Sequence, residues 1–377
     1  MIRQRAWAVW LVAAVLASPD VRAVEVGPQV ERLRAVGPQG AGAVEAAAAL
    51  KELSGADVNQ IFEILAAFDG AGPIAANWLR AAVDTIAEQA EARGAALPLT
   101  ELERFILDRH HDGRARRLAY EWLAAADSAR AERLLPVMID DPNLELRRDA
   151  VTRLDAEAAA LEKAGRRDEA LAAWREAFRA SRDVDQVRRL AERLESLGQP
   201  VDIARHFGFV VEWKLLGPFD NTGGTGYERV EPPEREIDLR ATYLGKHGPV
   251  AWKDHRTTDA WGKVDLNATL GEEKGVAAYA YAEFLSPSER EAQFRLASLG
   301  ALKLWLNGQL IDAHHVYHSG SQLDQYVSRG LLRPGKNTIL LKVCQNEQTQ
   351  SWARPWEFQL RVCDATGAGI LSTDGRE

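Results

Sequence analysis

Two cysteines, no long basic run and a formal charge of −8 are spread over 377 residues. Each scarcity excludes something. Phosphate contacts supply most nucleic-acid affinity, so an acidic chain with no basic stripe is excluded as a nucleic-acid binder. After the first twenty-odd residues no apolar run is long enough to cross a hydrocarbon layer of roughly 30 Å. There is no G-x-S-x-G, no H-E-x-x-H, no phosphate-cradling glycine loop and no Cys-His pair in a recognisable local motif. Carboxylates such as Glu272, Glu273, Glu283 and Glu289 are present. A glycosidase needs two of them about 5–10 Å apart across a cleft, which spacing along a chain cannot establish. The expectation is a protein that binds, with no catalytic role and no required cofactor.

The N-terminus reads as a secretion signal, residues 1–23. Arg3 and Arg5 form a basic region, Ala6–Ala17 an apolar stretch, and Val21-Arg22-Ala23 a small-residue cleavage site, with cleavage after Ala17 as the alternative. No cysteine stands at the cleavage point, which argues against lipid attachment there. The expected location is the periplasm or the extracellular space, without a membrane span after cleavage. The remaining residues exceed one comfortable core, so two domains are expected.

The period of the sequence changes once. From 24 to 206 apolar residues recur three and four apart, as in Ile61, Leu65 and Phe68, or Ile74, Trp78, Ala81 and Ala82. Arg116-Arg117-Leu118-Ala119 returns as Arg147-Arg148-Asp149-Ala150, with Asp140-Asp141-Pro142 reading as a helix start before the second copy. His110-His111-Asp112-Gly113 reads as the close of one helix before the next. Helix pairs that cannot bury their faces alone must stack, which points to an α-solenoid able to hold a protein partner. From 207 to 366 short alternating runs closed by Gly, Pro or Asn describe an antiparallel β-sandwich of about eight strands. Residues 367–377 read as a tail in which Ile370 and Leu371 are tacked down. The fold class is therefore α+β and multidomain, with almost no linker between the halves.

The order L-K-L-W-L-N-G (302–308), polar loop, L-L-R-P-G-K-N (331–337) resembles the galactose-binding-like jelly roll, a fold common among carbohydrate-binding modules. The stretch L-L-G-P-F-D-N-T-G-G-T-G-Y (215–227), with I-D-L, A-T-Y-x-G-K-x-G and V-x-W after it, is similar to a module of large secreted bacterial proteins. The helical half resembles HEAT and tetratricopeptide repeats. These resemblances imply a non-catalytic glycan binder. The alternatives are an envelope scaffold that binds only proteins and a component of a carbohydrate-active or peptidase system.

Sugars stack on exposed rings beside polar groups, so the loop aromatics are the candidate ligand residues. Trp252, Trp261, Tyr317, Tyr326, Trp352 and Trp356 qualify, and Trp352-Ala353-Arg354-Pro355-Trp356 beside His314–His318 is the preferred set. His315 and His318 belong to it as polar groups. With His314, Asp312 and Asp324 they also have the residue types of a metal site, at a spacing that fits no firm template. Asp220 and Asn221 on a glycine-rich turn could bind a structural calcium or simply form an Asx turn. Cys344 and Cys363 each close a strand on the face opposite Val343 and Val362, leaving a disulfide and two buried thiols both open.

Overall fold

The computed structural model describes residues 24–373. The expected secretion signal and the last four residues of the tail lie outside them. The chain divides into two compact units, Met1–Leu134 and Leu135–Glu377.

The first unit is helical: α1 (Val26–Arg34), α2 (Ala43–Leu53), α3 (Ile61–Ala66), α4 (Pro73–Ala92), α5 (Leu99–Leu107), α6 (Gly113–Ala126) and α7 (Ser128–Glu132). Its interior is rich in alanine, which lets helices approach closely. The buried face of α4 is Ala75, Ala76, Leu79, Ala82, Val83, Ile86 and Ala87, one position removed from the expected stripe, and Ile74 is exposed. Asp112 caps α6, its side chain accepting from Arg114 N at 2.8 Å, and His111 stacks on Phe105. The break expected at His110–Gly113 is thus a helix start as much as a helix stop.

The second unit holds both helices and sheets, so the change of period near Gly198-Gln199-Pro200 falls inside a unit. Its helices are α8 (Leu144–Lys163), α9 (Arg167–Ala180), α10 (Val184–Ser196), α11 (Ile203–Phe207) and the short α12 (Leu266–Leu270). The cap of α8 is Asn143, whose side chain accepts from Leu146 N. Asp141 instead is buried and accepts from Asn143 N, a correction to the start read at Asp140–Pro142. The two sequence copies do share a physical role. Arg116 is buried and donates to Ile106 O at 2.7 Å, and Arg147 is buried and donates to Asp141 O at 2.7 Å. Each arginine satisfies a carbonyl left open by the preceding turn.

The strands are β1 (Glu212–Asp220), β2 (Thr242–Leu244), β3 (Pro249–Ala251), β4 (Lys253–Arg256), β5 (Val264–Asp265), β6 (Val276–Ser286), β7 (Arg290–Ser298), β8 (Ala301–Leu306), β9 (Gln309–His314), β10 (Tyr326–Leu332), β11 (Gly335–Gln345) and β12 (Glu357–Cys363). A six-stranded sheet runs β4-β1-β6-β11-β8-β9, a four-stranded one β10-β7-β12-β5, and β2 pairs with β3. All pairings are antiparallel. The two larger sheets share one core, in which alternate residues of each strand meet: Ala278, Ala280 and Ala282 of β6 and Leu341 of β11 against Phe294 of β7 and Leu360 of β12. The Asn307-Gly308 pair, both at positive φ, makes the two-residue turn that joins β8 to β9 as a hairpin. Asn307 Nδ2 donates to Asn337 Oδ1 at 2.9 Å, and the buried Asn337 also bonds Arg333 O and Phe284 O. The two turn motifs prominent in the sequence are therefore one hydrogen-bonded unit.

Of the helices of this unit, α11 and α12 touch the four-stranded sheet, both at β12. Trp174, Phe178 and Leu190 form a core with Phe207 and Phe209 that also takes Trp261 and Leu323. The Arg361 guanidinium lies 5.1 Å over the Phe207 ring. Gly208 is at φ +74, and a Cβ there would sit 2.3 Å from Val362 O, so only glycine lets the chain cross from helix to sheet here.

The six-stranded sheet is apolar on its other face too: Leu216, Phe219, Tyr279, Tyr281, Trp305 and Leu340. That face is covered by the segment 221–252, through Tyr227, Ile237, Leu239, Tyr243 and Trp252. At its centre Lys342 is fully buried and donates to Glu234 Oε1 at 2.8 Å, Arg229 O at 2.6 Å and Tyr227 O at 3.2 Å. The Tyr279 hydroxyl donates to the same Glu234 oxygen. Burial, then that bond, drives the Tyr279 pKa far up, which keeps it a donor.

The disulfide weighed between Cys344 and Cys363 is not made: both are free and buried. The alternation is as read, since Val343 and Val362 enter the shared core while Cys344 joins the covered outer face. However, β11 and β12 belong to different sheets and do not form a hairpin. The whole core separates the thiols, beyond the roughly 7 Å between Cα atoms that a bridge requires. Burial pushes the Cys344 thiol up to about 12, so it is unreactive. Among the described residues no helix is long and apolar enough to cross a membrane.

Two outcomes test this packing. Lys342→Met alone leaves Glu234 buried without its cation and is expected to cost about 3–5 kcal/mol. Adding Glu234→Gln, which still accepts from Tyr279, is expected to recover at least half of that in urea unfolding. Equal midpoints for the single and double variants would show that the pair is not coupled. His206, packed between Phe178 and Phe207, is held down to about 4 by burial first and by the Arg182 charge second. The unfolded chain binds its proton from about pH 6.5, so stability is expected to fall as pH drops through 6.5 toward 4, by up to about 3 kcal/mol from this group. Burial holds His255 down as well, so it acts in the same direction. His206→Gln should flatten the His206 part and leave the carboxylate-driven loss below pH 4. An unchanged slope between pH 6.5 and 4 would reject the assignment.

Candidate functional site

Antiparallel pairing brings one set of connections to one end of the two sheets. Segments 221–227 after β1, 271–275 before β6, 299–300 between β7 and β8, 315–325 between β9 and β10, and 346–356 between β11 and β12 all lie there. They are tied to one another. Asn221 N donates to Gly275 O at 2.8 Å, Gly275 N to Asn346 O at 3.1 Å, and His318 N to Leu299 O at 2.6 Å. The Lys246 ammonium donates to Lys274 O and Gly275 O.

Asn221 is the knot. It is fully buried; Nδ2 donates to Tyr317 Oη and Gln345 O, both at 3.0 Å, and Oδ1 accepts from Tyr227 N at 3.0 Å. Asp220 Oδ1 accepts from the Thr222 hydroxyl at 2.6 Å, and its carboxylate faces Lys246 and Arg229. Its pKa is lowered, chiefly by the Thr222 hydrogen bond. The pair read as calcium oxygens is thus employed inside the fold, as the Asx-turn alternative requires. Among the described residues no group of three or more His, Cys, Asp or Glu side chains could hold a metal ion.

The histidines diverge, which corrects the metal reading of His314, His315, His318, Asp312 and Asp324. His314 ends β9, lies 2.7 Å from Asp312 and stacks on Tyr326. His315 is exposed and stacks on Tyr227 at 4.1 Å and 10°. His318 faces Asn346 Oδ1 at 3.0 Å through Nε2, and its Nδ1 is buried with no partner. Asp324 is taken by Arg361 and Arg295. His318 sits at φ 62, a left-handed conformation costing about 1–2 kcal/mol for a residue with a Cβ. The Leu299 and Asn346 bonds hold it there.

Of the aromatic candidates, Trp352 and His318 are brought together. Their rings meet edge to face at 4.9 Å and 88°, and Trp352 keeps 55% of its surface exposed. Tyr317, half-buried, lies between His315 at 5.8 Å and His318 at 6.4 Å. Burial raises both Tyr317 and Tyr227 to about 12, so both phenols are neutral. The exposed Arg354 follows Trp352 after the buried Ala353, its carbonyl accepting from Asn267 and Gln345.

The other tryptophans are elsewhere, which corrects their reading as ligand-facing. Trp356 is 1% exposed, belongs to the shared core and donates through Nε1 to Val343 O. Trp252 packs on Tyr281 within the covering segment and donates to Asp238 O. Trp261 is sandwiched by the Arg188 guanidinium at 5.3 Å and by Phe207. Residues that sequence reasoning did not single out are Tyr227, Lys246, Asn346 and Glu347, the last accepting from Gly223 N–H. Spacing carries no signal for them; only the sheet order brings the ends of β11 and β9 to the same end of the sheet, with β8 between them.

Trp352 and Trp356 are four residues apart and predict opposite behaviour. Trp356→Ala is expected to cost about 3–5 kcal/mol of stability, whereas Trp352→Ala stays within about 0.5 kcal/mol of the parent. Thermal unfolding of both variants checks this; a large loss for Trp352→Ala would make it a packing residue.

No protein-family model matches the chain, and no curated protein matches it in sequence. Among solved structures, partial likenesses include a beta-glucosidase from Kluyveromyces marxianus in complex with glucose (15% identity, 41% of this chain and 16% of that one, TM-score 0.26). Another is an anti-sigma factor domain-containing protein from Clostridium clariflavum (12% identity, 44% of this chain and 45% of that one, TM-score 0.24). A third is a GH31 alpha-xylosidase from Xanthomonas citri (13% identity, 33% and 18%, TM-score 0.19). The chain spans less than half the length of each of these proteins, and scores this low establish neither a shared fold nor a shared role.

Proposed function

We propose that this is an exported, non-catalytic glycan-binding protein. In this reading the paired sheets are a jelly roll of the galactose-binding-like type, with a ligand site at the loop end around Trp352. The helices are solenoid-like repeats that dock a protein partner. The observation that carries the proposal is Trp352, an exposed ring set against a histidine whose backbone and Nε2 are both anchored. An exposed tryptophan held by its neighbours offers a flat apolar face at low entropic cost, which suits the C–H face of a sugar. Binding without turnover is supported by the state of the nearby carboxylates. Asp220 is engaged by Thr222, Lys246 and Arg229, and Glu347 by the Gly223 amide. The matching use of Arg116 and Arg147, each on a nearby carbonyl, supports repeat character in the helices.

The test is a binding screen of the full chain against glycans and peptidoglycan fragments, with and without calcium. At least one glycan is expected to bind, and Trp352→Ala to weaken it about tenfold or more, the worth of one stacked ring. Binding that needs calcium would restore a metal to the reading. No binding to any glycan would favour the protein-only scaffold, which the packed state of Trp252, Trp261 and Trp356 already suits.

A further inference from the structure

Five rings form one contact series across the loop end. Tyr227 stacks under His315 at 4.1 Å, His315 meets Tyr317 at 5.8 Å, Tyr317 meets His318 at 6.4 Å, and His318 meets Trp352 at 4.9 Å. His315 and Trp352 are exposed, while Tyr317 and His318 between them are half-buried and Tyr227 beneath His315 is buried. The three contacts from His315 to Trp352, 4.9–6.4 Å between ring centres, are each about the width of a sugar ring. A single sugar resting on Trp352 therefore leaves His315 unused, three steps away.

The charge of the surroundings adds a second constraint. The segment from Asn346 to Trp352 leaves the row at His318 and returns to it, since Asn346 bonds that ring and Trp352 packs on it. Its outward residues, Gln348, Thr349, Gln350 and Ser351, are exposed and uncharged. Glu347 turns back to the Gly223 amide, so residues 348–351 present amides and hydroxyls, groups that match vicinal hydroxyls, and the exposed Arg354 lies beyond Trp352 as a charged neighbour.

Building on the glycan reading, we infer that the ligand is a neutral oligosaccharide chain lying along the row from Trp352 to His315. It is bound as an extended segment and not by one terminal sugar. Tyr227, buried and capped by the Lys303 ammonium at 4.3 Å, is a positioning residue that holds His315 flat.

The experiment is calorimetry of the full chain with neutral homo-oligosaccharides from monosaccharide to hexasaccharide, beside oligogalacturonate as the anionic arm. Affinity is expected to climb with length by roughly three- to tenfold before levelling, the contribution of one further ring. His315→Ala should flatten that climb, and His315→Phe, which keeps a ring, should restore it. A monosaccharide that binds as tightly as the hexasaccharide, with loss in Trp352→Ala, would overturn the extended chain and leave the glycan reading standing. Preference for oligogalacturonate would overturn neutrality. Silence from every sugar would remove both the inference and the reading beneath it.

Discussion

The buried Lys342–Glu234 pair is what the second unit depends on, because its six-stranded sheet is apolar on both faces. One face is covered by the second sheet, whose strands satisfy their own backbone. The other is covered by 221–252, a segment with little regular structure, whose amides and carbonyls would be orphaned against an apolar sheet. Lys342 answers with three donors: one for Glu234, one for Arg229 O and one for Tyr227 O. Desolvating two charges is costly, and a hydrophobic pair of equal volume could be as stable. What a hydrophobic pair could not do is fix the place of the covering segment. Ile237, Leu239 and Trp252 would pack in several arrangements; three bonds on one ammonium admit one.

That placement is inherited by the loop end. Tyr227 supplies both a carbonyl to Lys342 and the ring under His315, and its amide is held by Asn221, which also fixes Tyr317. The exposed ring of His315 is thus set by groups nine-tenths or more buried, in the way that precise sites rest on a supporting layer. The strained backbone of His318 fits the same logic. A left-handed residue with a Cβ persists only where its surroundings over-determine it, and here an amide and an imidazole nitrogen are both bound.

Much of the architecture is legible in the chain because period is a local property. The switch from three-and-four spacing to alternation announces helices then strands, and alternation puts Val343 and Cys344 on opposite faces, as the two clusters show. What failed was non-local. The 309–314 segment reads as part of a polar loop, because Ile311 is an extra residue in β9 opposite Leu304/Trp305 and this bulge breaks the alternation; the Asn307-Gly308 turn is the signal that a hairpin follows. Trp356 was read as a loop ring, although Trp356, Phe358, Leu360 and Val362 alternate and all enter the core. The thiols and Trp261 needed knowledge of which sheet or helix lies opposite, and no window of sequence contains that.

The site's economy also bears on its strength. Three of the four loop tryptophans singled out are spent on packing, which leaves Trp352 as the one large exposed ring among the described residues. One stacked ring is worth about 0.5–1.5 kcal/mol beyond the area it buries, too little for tight binding by itself. Neutral amides and hydroxyls such as those from Gln348 to Ser351 add hydrogen bonds that mostly replace those made with water, each with a net value of about 1 kcal/mol. Affinity must therefore come from adding weak contacts along a surface already ordered before the ligand arrives. Preorganisation lowers the entropic cost of each such contact, and the bonds among Asn221, Gly275, Asn346 and Leu299 provide it. A surface of this kind gains more from reaching along a long ligand than from gripping a short one.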